Sequence, residues 1–324
     1  MRVTPNRQRL PEDFLATGAS GRASIYTATN GATFLPAAVP DDDAFADVLR
    51  LLGDALALTE VHLTGGEPTL HPAVAGLTKI AVDAGYRVAM TSNGERGDRV
   101  IPGCAAAGLA RVNFSIFGTT AAELAEVQHA RYRNPVLAQR KIDALHRSIA
   151  ACVTHGVNAS ANIVVPDHTH AARVHRLLDE YLPHLSVRLL NSLDRGAVSI
   201  DAIERILTDR GAVAEAHYVT AGVSGARTAY RLPDQRRVYV KQIRPVRLPA
   251  TCAGCRFNNG TDCEEGFYGV RLYYDRTGTF QVGVCIQRMD LCLPLHEFLA
   301  SPLPAEIRTL RDTDYRRLAA RRAG

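Results

Sequence analysis

The sequence predicts an α/β fold, an open or partial (β/α)6 barrel followed by a small cysteine-rich module. Short apolar runs alternate with amphipathic stretches over the first two-thirds of the 324 residues, as in a parallel sheet with helices packed outside it. Six such units are too few for a closed eight-fold barrel. Most of the seven cysteines crowd into one stretch near the end of the chain, which predicts a separate module there.

The elements of the first part follow one another along the chain. The predicted strands are Phe14–Thr17, Val61–Thr64, Arg87–Thr91, Arg111–Ile116, Ala159–Val165 and Val187–Leu190. The predicted helices are Asp43–Leu58, Ala73–Ala84, Val136–His155 and Ala171–Leu182. In the first helix Phe45, Val48, Leu49 and Leu52 recur at the spacing of one buried face.

The pattern changes after residue 211. We therefore divide the chain into a barrel-like domain, residues 1–211, and a C-terminal extension, residues 212–324. The predicted strands of the extension are Ala212–Val219, Arg227–Leu232, Arg237–Gln242, Tyr268–Tyr274 and Phe280–Cys285. The stretch Arg244–Pro249 indicates a linker, and helices at Leu295–Leu299 and Glu306–Arg322 close the chain.

Composition excludes several classes of protein. Hydrophobic residues make up 46% and charged residues 22%, which is typical of a globular protein. No apolar run approaches the roughly 20 residues of a membrane span, and no signal peptide is apparent, so we expect a cytoplasmic protein. The net charge of +5 is too small and too scattered to predict nucleic-acid binding.

The sharpest motif ends the second predicted strand, and it runs Val61-His-Leu-Thr-Gly-Gly-Glu-Pro68. Ligands of open parallel sheets bind beyond the carboxyl ends of the strands, and Gly65 and Gly66 let a ligand approach the main chain. Their carbonyls and the Glu67 carboxylate suit an ammonium group, while Pro68 fixes the exit into the next helix. The alternative is a plain strand–turn–helix corner.

This motif resembles the Gly-Gly-Glu-Pro motif of the radical S-adenosylmethionine (SAM) superfamily, whose fold is a TIM-like partial barrel. In that family the motif binds the amino group of the methionine part of SAM. The resemblance continues at polar residues on later strand ends, and it implies one set of SAM contacts. These are Gly65, Gly66, Glu67, Pro68, Ser92, Asn93, Ser115, Asn162 and Arg188.

The chain departs from this family after the first predicted strand. Members carry Cys-x3-Cys-x2-Cys there, and the three thiolates hold a [4Fe–4S] cluster that cleaves SAM to a radical. Here Ala19, Ala23 and Tyr26 stand at that spacing, and no cysteine precedes Cys104. We therefore predict no reductive SAM cleavage. Natural loss of the cysteines and their removal by mutagenesis both remain open.

The C-terminal cysteines form the pattern Cys252-x2-Cys255-x7-Cys263-x21-Cys285. Four thiolates with this spacing can hold zinc or a [4Fe–4S] cluster. Cys292 is a spare or alternative ligand. The alternative interpretation is that these cysteines are buried and bind no metal. The surrounding segments resemble the GTP cyclase of molybdenum-cofactor synthesis. There three cysteines hold a second cluster with an open iron, so the resemblance implies one auxiliary [4Fe–4S] cluster that Cys263 could close.

Together these features predict a degenerate radical SAM enzyme with non-radical chemistry on a small molecule or peptide. It would bind SAM or a related nucleoside at the barrel mouth. The candidate substrate contacts are Asn191, Arg231, Lys241 and Arg271. Two alternatives stay open: a non-catalytic binding or scaffold subunit for a peptide or partner enzyme, and a cluster-knockout variant of a conventional radical SAM enzyme. Polar side chains converging at the barrel mouth would favour the enzyme.

Overall fold

The computed structural model describes residues 34–127, 133–181, 183–259, 263 and 265–323. The predicted strand Phe14–Thr17 lies outside these residues, as do Ala19, Ala23 and Tyr26. The described helices are α1 (Asp43–Leu56), α2 (Val74–Asp83), α3 (Gly97–Ala106), α4 (Ala121–Val127), α5 (Pro135–Thr154), α6 (Ala171–Arg176), α7 (Ala197–Asp209), α8 (Pro249–Ala253), α9 (Leu295–Ala300) and α10 (Leu303–Ala323).

Two sheets are described. The strands are β1 (Pro36–Ala37), β2 (Glu60–Leu63), β3 (Arg87–Ser92), β4 (Leu109–Ser115), β5 (Asn158–Val165), β6 (Ser186–Asn191), β7 (Val213–Val219), β8 (Gly225–Arg231), β9 (Arg237–Ile243), β10 (Arg271–Asp275), β11 (Phe280–Gly283) and β12 (Leu293–Pro294). The larger sheet has the order β2-β3-β4-β5-β6-β9-β8-β7, and the smaller one β1-β10-β11-β12. Within the larger sheet β2 to β6 and β9 run parallel, and β8 pairs antiparallel with both β9 and β7.

The α/β prediction is therefore confirmed. Among the described residues the larger sheet is open, with β2 and β7 at its two edges. Strands β7, β8 and β9, which follow residue 211, extend this sheet through the pairing of β6 with β9. The division into two domains at residue 211 remains a prediction. The larger sheet contains strands from both sides of that residue.

Strand alternation gives the larger sheet two different faces. One face is apolar and buried, and it includes Val88, Met90, Val112, Phe114, Val187 and Leu189. The other carries hydrogen-bonding and charged side chains, and the strand registers place them on one side. We call it the polar face, and it comprises His62, Thr91, Asn113, Ser115, Ser160, Asn162, Arg188, Tyr239, Lys241 and Arg227.

Helix α1 shows how the sequence specifies the outer layer. Asp42 caps it by accepting a hydrogen bond from the Phe45 N–H at 3.1 Å, which satisfies one of the free N–H groups of the first turn. The residues predicted for its buried face, including Phe45 and Leu52, are buried in the core. Each predicted helix or strand within the described residues corresponds to an observed one, with ends that differ by a few residues.

Candidate functional site

The loop after β2 places the glycine pair at the carboxyl edge of the parallel strands. Both glycines have positive φ, +88° at Gly65 and +46° at Gly66, a conformation that side chains with a Cβ rarely adopt. A single 3-10 turn, Pro68–Leu70, follows immediately. A cavity of about 460 Å³ adjoins this loop. Its lining includes Gly66, Glu67, Pro68, His71 and Arg276.

The Glu67 carboxylate joins this loop to the loop after β3. Its Oε1 accepts hydrogen bonds from the Thr69 N–H (3.0 Å), the Thr69 hydroxyl (2.7 Å) and the Ser92 hydroxyl (2.7 Å). Its Oε2 accepts one from the Asn93 N–H at 2.6 Å. The sequence placed Glu67, Ser92 and Asn93 in one site, and the structure brings them into direct contact.

Helix α5 supports the β3 loop from outside. The Lys141 ammonium, whose side chain is only 9% exposed, donates to Asn93 Oδ1 and lies 3.7 Å from Glu95 Oε2. The Ser148 hydroxyl donates to the Gly94 carbonyl at 2.9 Å. Because the Asn93 N–H also donates to Glu67, a continuous chain of hydrogen bonds runs from α5 to the glycine loop.

On the polar face, a hydrogen-bonded row begins at His62. Its Nε2 lies 2.7 Å from the Thr91 hydroxyl and 3.3 Å from Asn113 Nδ2. Asn113 Oδ1 accepts from the Ser160 hydroxyl, so the Asn113 amide presents its N–H to His62. That arrangement makes Nε2 an acceptor and leaves the proton of the neutral ring on Nδ1. Surrounding protein atoms, and secondarily Arg111, lower the pKa of His62 to about 4.

Three predicted SAM contacts lie side by side on the same face. Ser115 pairs in register with Asn162, and Asn162 pairs with Arg188. Asn162 Oδ1 is buried and has no hydrogen-bond partner in the described part of the chain, a group that a bound ligand can satisfy. Burial, with a smaller contribution from Arg227, lowers the pKa of Arg188 to about 10.

The candidate substrate contacts are not all brought together. Lys241 lies on the polar face, paired in register with Arg227, and Arg271 contributes to its electrostatic surroundings from β10. Asn191 ends β6 on the opposite face. Arg231 pairs with Arg237 at the start of β9. It therefore lies at the amino ends of the parallel strands, whereas Gly65 lies at their carboxyl ends.

The four cysteines of the C-terminal pattern line one small cavity of about 30 Å³. Burial raises the pKa of Cys285. Hydrogen bonds from the backbone N–H groups of Gln287 and Arg288 act in the opposite direction and lower it. The Arg288 guanidinium also lies 3.7 Å from Cys255 Sγ. Within the described ranges, no three His, Cys, Asp or Glu side chains are grouped closely enough to hold a metal ion. The four cysteines nevertheless form a donor set with the chemistry of a thiolate site.

Cys292 is separate from that cavity lining. It is buried against Gly283, where an added Cβ would meet its sulfur at 2.7 Å, and burial raises its pKa to about 12. Such a thiol packs as a small apolar group.

Sequence reasoning missed several side chains that the fold brings to this edge and face. Among them are His62, Asn113, Ser160, Lys141 and Tyr268. The alternation of polar residues along β4 and β5, Arg111-x-Asn113-x-Ser115 and Asn158-x-Ser160-x-Asn162, was the available signal. It predicts one polar side on strands that are otherwise apolar.

Comparison with known proteins finds a family profile that matches part of the chain. Residues 28–180 match the profile described as the Radical SAM superfamily. A GTP 3',8-cyclase from Corynebacterium glutamicum (strain R) is 36% identical over 104 residues, which is 29% of this chain and 27% of that protein. The chain thus spans about a quarter of the length of this curated relative.

Solved structures of SuiB from Streptococcus suis are also similar. SuiB alone has 13% identity and a TM-score of 0.39, covering 53% of this chain and 41% of SuiB. SuiB bound to S-adenosylmethionine has 13% identity and a TM-score of 0.37, covering 56% and 43%. No helix in the part of the chain that the structure describes is long and apolar enough to cross a membrane.

Proposed function

We propose that the chain binds SAM or a related nucleoside at the carboxyl edge of its sheet, because residues 28–180 match the Radical SAM superfamily profile. The observation that carries the proposal is the buried Asn162 Oδ1, which has no hydrogen-bond partner in the described part of the chain and lies between Ser115 and Arg188 on the polar face. A bound ligand can satisfy such a group. The Gly65 and Gly66 carbonyls would receive the ammonium group. Ser115, Asn162 and Arg188 would contact the nucleoside.

We further propose that the sheet curves as a partial (β/α)6 barrel with its polar face inside. This arrangement places His62, Asn162 and Arg188 in the interior and favours a small-molecule site over a scaffold, because an interior filled for support alone would be apolar. The substrate is a small molecule or a peptide, and the cytoplasmic location stays a prediction.

The chemistry we propose is non-radical. A radical SAM cluster needs three cysteine thiolates, and the chain has no cysteine before Cys104. The residues present therefore do not fit the family's catalytic cluster, and no step is assigned to it. The chain's own residues at this edge bind the ligand and orient it. Lys141 and Ser148 hold the β3 loop in place, and Glu67 holds the glycine loop against the β3 loop.

For the C-terminal cysteines we propose one [4Fe–4S] cluster. Their common cavity and the N–H groups facing Cys285 support a thiolate site, because such donors stabilise sulfur ligands. Cys252, Cys255, Cys263 and Cys285 would hold the cluster, which serves as an electron carrier when bound. Iron and sulfide analysis of anaerobically purified protein should give about four irons per chain. A single zinc would replace the cofactor assignment, and eight irons would contradict the loss of the first cluster.

Titration calorimetry with SAM tests the binding proposal. We expect micromolar or weaker affinity, because no cluster iron chelates the methionine group. Gly65→Ala should weaken binding further. Gly85→Ala is the matched control, since Gly85 has nearly the same φ, +86° against +88°, and open space around it. Each change costs about 1 kcal/mol in backbone strain. Equal SAM affinity in both variants would remove the glycine loop from the site.

A further inference from the structure

The protein has only three lysines among its 38 basic residues, and their surroundings differ. Lys79 is exposed and forms an ion pair with Asp83 at 2.9 Å. Lys141 donates to Asn93 and lies 3.7 Å from Glu95. Lys241 is half-buried, and its ammonium lies 4.8 Å from the centre of the Tyr268 ring.

Charged groups of both signs surround Lys241. Arg227 faces it across the β8–β9 pair, and Arg188 and Arg271 both disfavour its charge. Burial is the largest effect and lowers the pKa of Lys241, while Glu265 partly opposes it. A desolvated lysine among other cations keeps more of its amine in the neutral, nucleophilic form.

An unsatisfied polar atom belongs to the aromatic residue beside this amine. Tyr268 Oη is buried and has no hydrogen-bond partner in the described part of the chain. Because buried polar groups are normally hydrogen-bonded, this atom points to an occupant that the protein alone does not supply. The neighbouring guanidinium groups favour a carboxylate, which arginine binds in two-point fashion.

We propose that Lys241 is a nucleophile that forms an imine with a small carbonyl compound bearing a carboxylate, the class of the 2-oxo acids and their aldehyde analogues. Its Nζ lone pair attacks the carbonyl carbon, and a proton moves from nitrogen to the carbonyl oxygen. The carbinolamine then loses water and leaves a C=N bond. No oxidation or reduction takes place. Arg271 binds the carboxylate and orients the carbonyl toward the amine.

Reductive trapping tests this proposal, and it needs neither SAM nor a cluster, so its result is separate from the test of SAM binding. The full-length protein is incubated with glyoxylate and cyanoborohydride, which reduces an imine to a stable amine. Peptide mass spectrometry then measures labelling at each lysine. A parallel arm uses glycolaldehyde, the neutral aldehyde of similar size. Lys79 and Lys141 are internal references in each digest.

We expect Lys241 to be labelled several-fold faster than Lys79 by glyoxylate near pH 7, because a lower amine pKa raises the neutral fraction. The ratio of glyoxylate to glycolaldehyde labelling should be higher at Lys241 than at Lys79. Arg271→Gln should reduce that ratio at Lys241 only. Glu265→Gln should increase labelling, since it removes a carboxylate that stabilises the ammonium.

Two results would overturn the proposal. Labelling of Lys241 no faster than that of Lys79 by either aldehyde would make it a plain ammonium group. Equal labelling of Lys241 by both aldehydes, unchanged by Arg271→Gln, would remove the carboxylate-bearing substrate. Thermal unfolding of each variant, compared with the wild type, separates these results from loss of the fold.

Discussion

At the residue scale, Glu67 does more than present a carboxylate to a ligand. Its four hydrogen bonds join two loops, so a change there affects the fold as well as binding. In Glu67→Gln an NH2 group replaces one of the two carboxylate oxygens. That NH2 group then faces another donor, either the Asn93 N–H or one of the groups that donate to Oε1. We expect a loss of about 1–3 kcal/mol in the free energy of unfolding, measured by urea titration.

Glu60→Gln is the matched control for that measurement. Glu60 is exposed, and it pairs with Arg111 at 2.8 Å, so its loss should cost less than about 1 kcal/mol. Equal stability of Glu67→Gln and the wild type would show that the carboxylate does not tie the two loops.

His62 gives a second prediction at this scale. Its pKa is lowered to about 4 from 6.5, so the unfolded chain takes up this proton at a higher pH than the folded chain. The corresponding stability is present above pH 6.5 and is lost as the pH falls from 6.5 to about 4. Titration of the ring by NMR should give a midpoint well below 6.5, and the neutral ring should carry its proton on Nδ1.

Two variants should move that midpoint in opposite directions. Arg111→Gln removes a cation that lowers the pKa of His62, and Glu60→Gln removes a carboxylate that raises it. An unshifted wild-type midpoint near 6.5 would contradict the hydrogen-bonded row on the polar face.

At the element scale, α10 is fixed to the larger sheet through one carboxylate. Asp314 accepts hydrogen bonds from the Arg244 guanidinium and, at 2.8 Å, from the Gly222 N–H. Its side chain is only 8% exposed. Because breaking one partner of a buried pair leaves the other uncompensated, Asp314→Ala should cost about 3–5 kcal/mol. Hydrogen exchange should then show faster exchange in α10.

Asp312→Ala on the same helix is the control. Its side chain is 68% exposed, and Arg311 lies 3.8 Å away, so its removal should change stability little. Equal exchange rates in α10 for the two variants would contradict the role of Asp314.

Elements with strong local patterns could be predicted from the sequence, and others could not. The periodic α1 and the apolar β5 were predicted close to their observed bounds, whereas α3 and α7 were missed. Helix α3 begins at Gly97 and contains Pro102, both of which weaken a helical pattern. The ion pair between Asp314 and Arg244 joins residues that are distant in sequence, so no local sequence pattern predicts it.

At the scale of the whole molecule, the sheet separates two tasks. Its apolar face packs under the helices and stabilises the fold, while its polar face gathers His62, Asn162, Arg188 and Lys241. This separation explains why polar residues at neighbouring strand ends lie on one surface. Ser115, Asn162 and Arg188 lie on one face because they share register rows. Asn191 lies on the other face because of the alternation along β6. Arg231 lies at the amino ends of the parallel strands because β8 runs in the reverse direction.

The final prediction concerns the intact protein with SAM and dithionite. The positions expected to hold the first cluster are Ala19, Ala23 and Tyr26, and alanine offers no iron ligand. We therefore expect no 5′-deoxyadenosine above background after overnight incubation, measured by chromatography. The C-terminal cysteines offer a second route that the experiment must exclude. If four thiolates coordinate that cluster, no iron stays open to chelate SAM, so we expect no cleavage by this route in the wild type. Deoxyadenosine formed by the wild type and abolished by Cys255→Ala would assign the cleavage to that cluster and contradict the proposed non-radical chemistry.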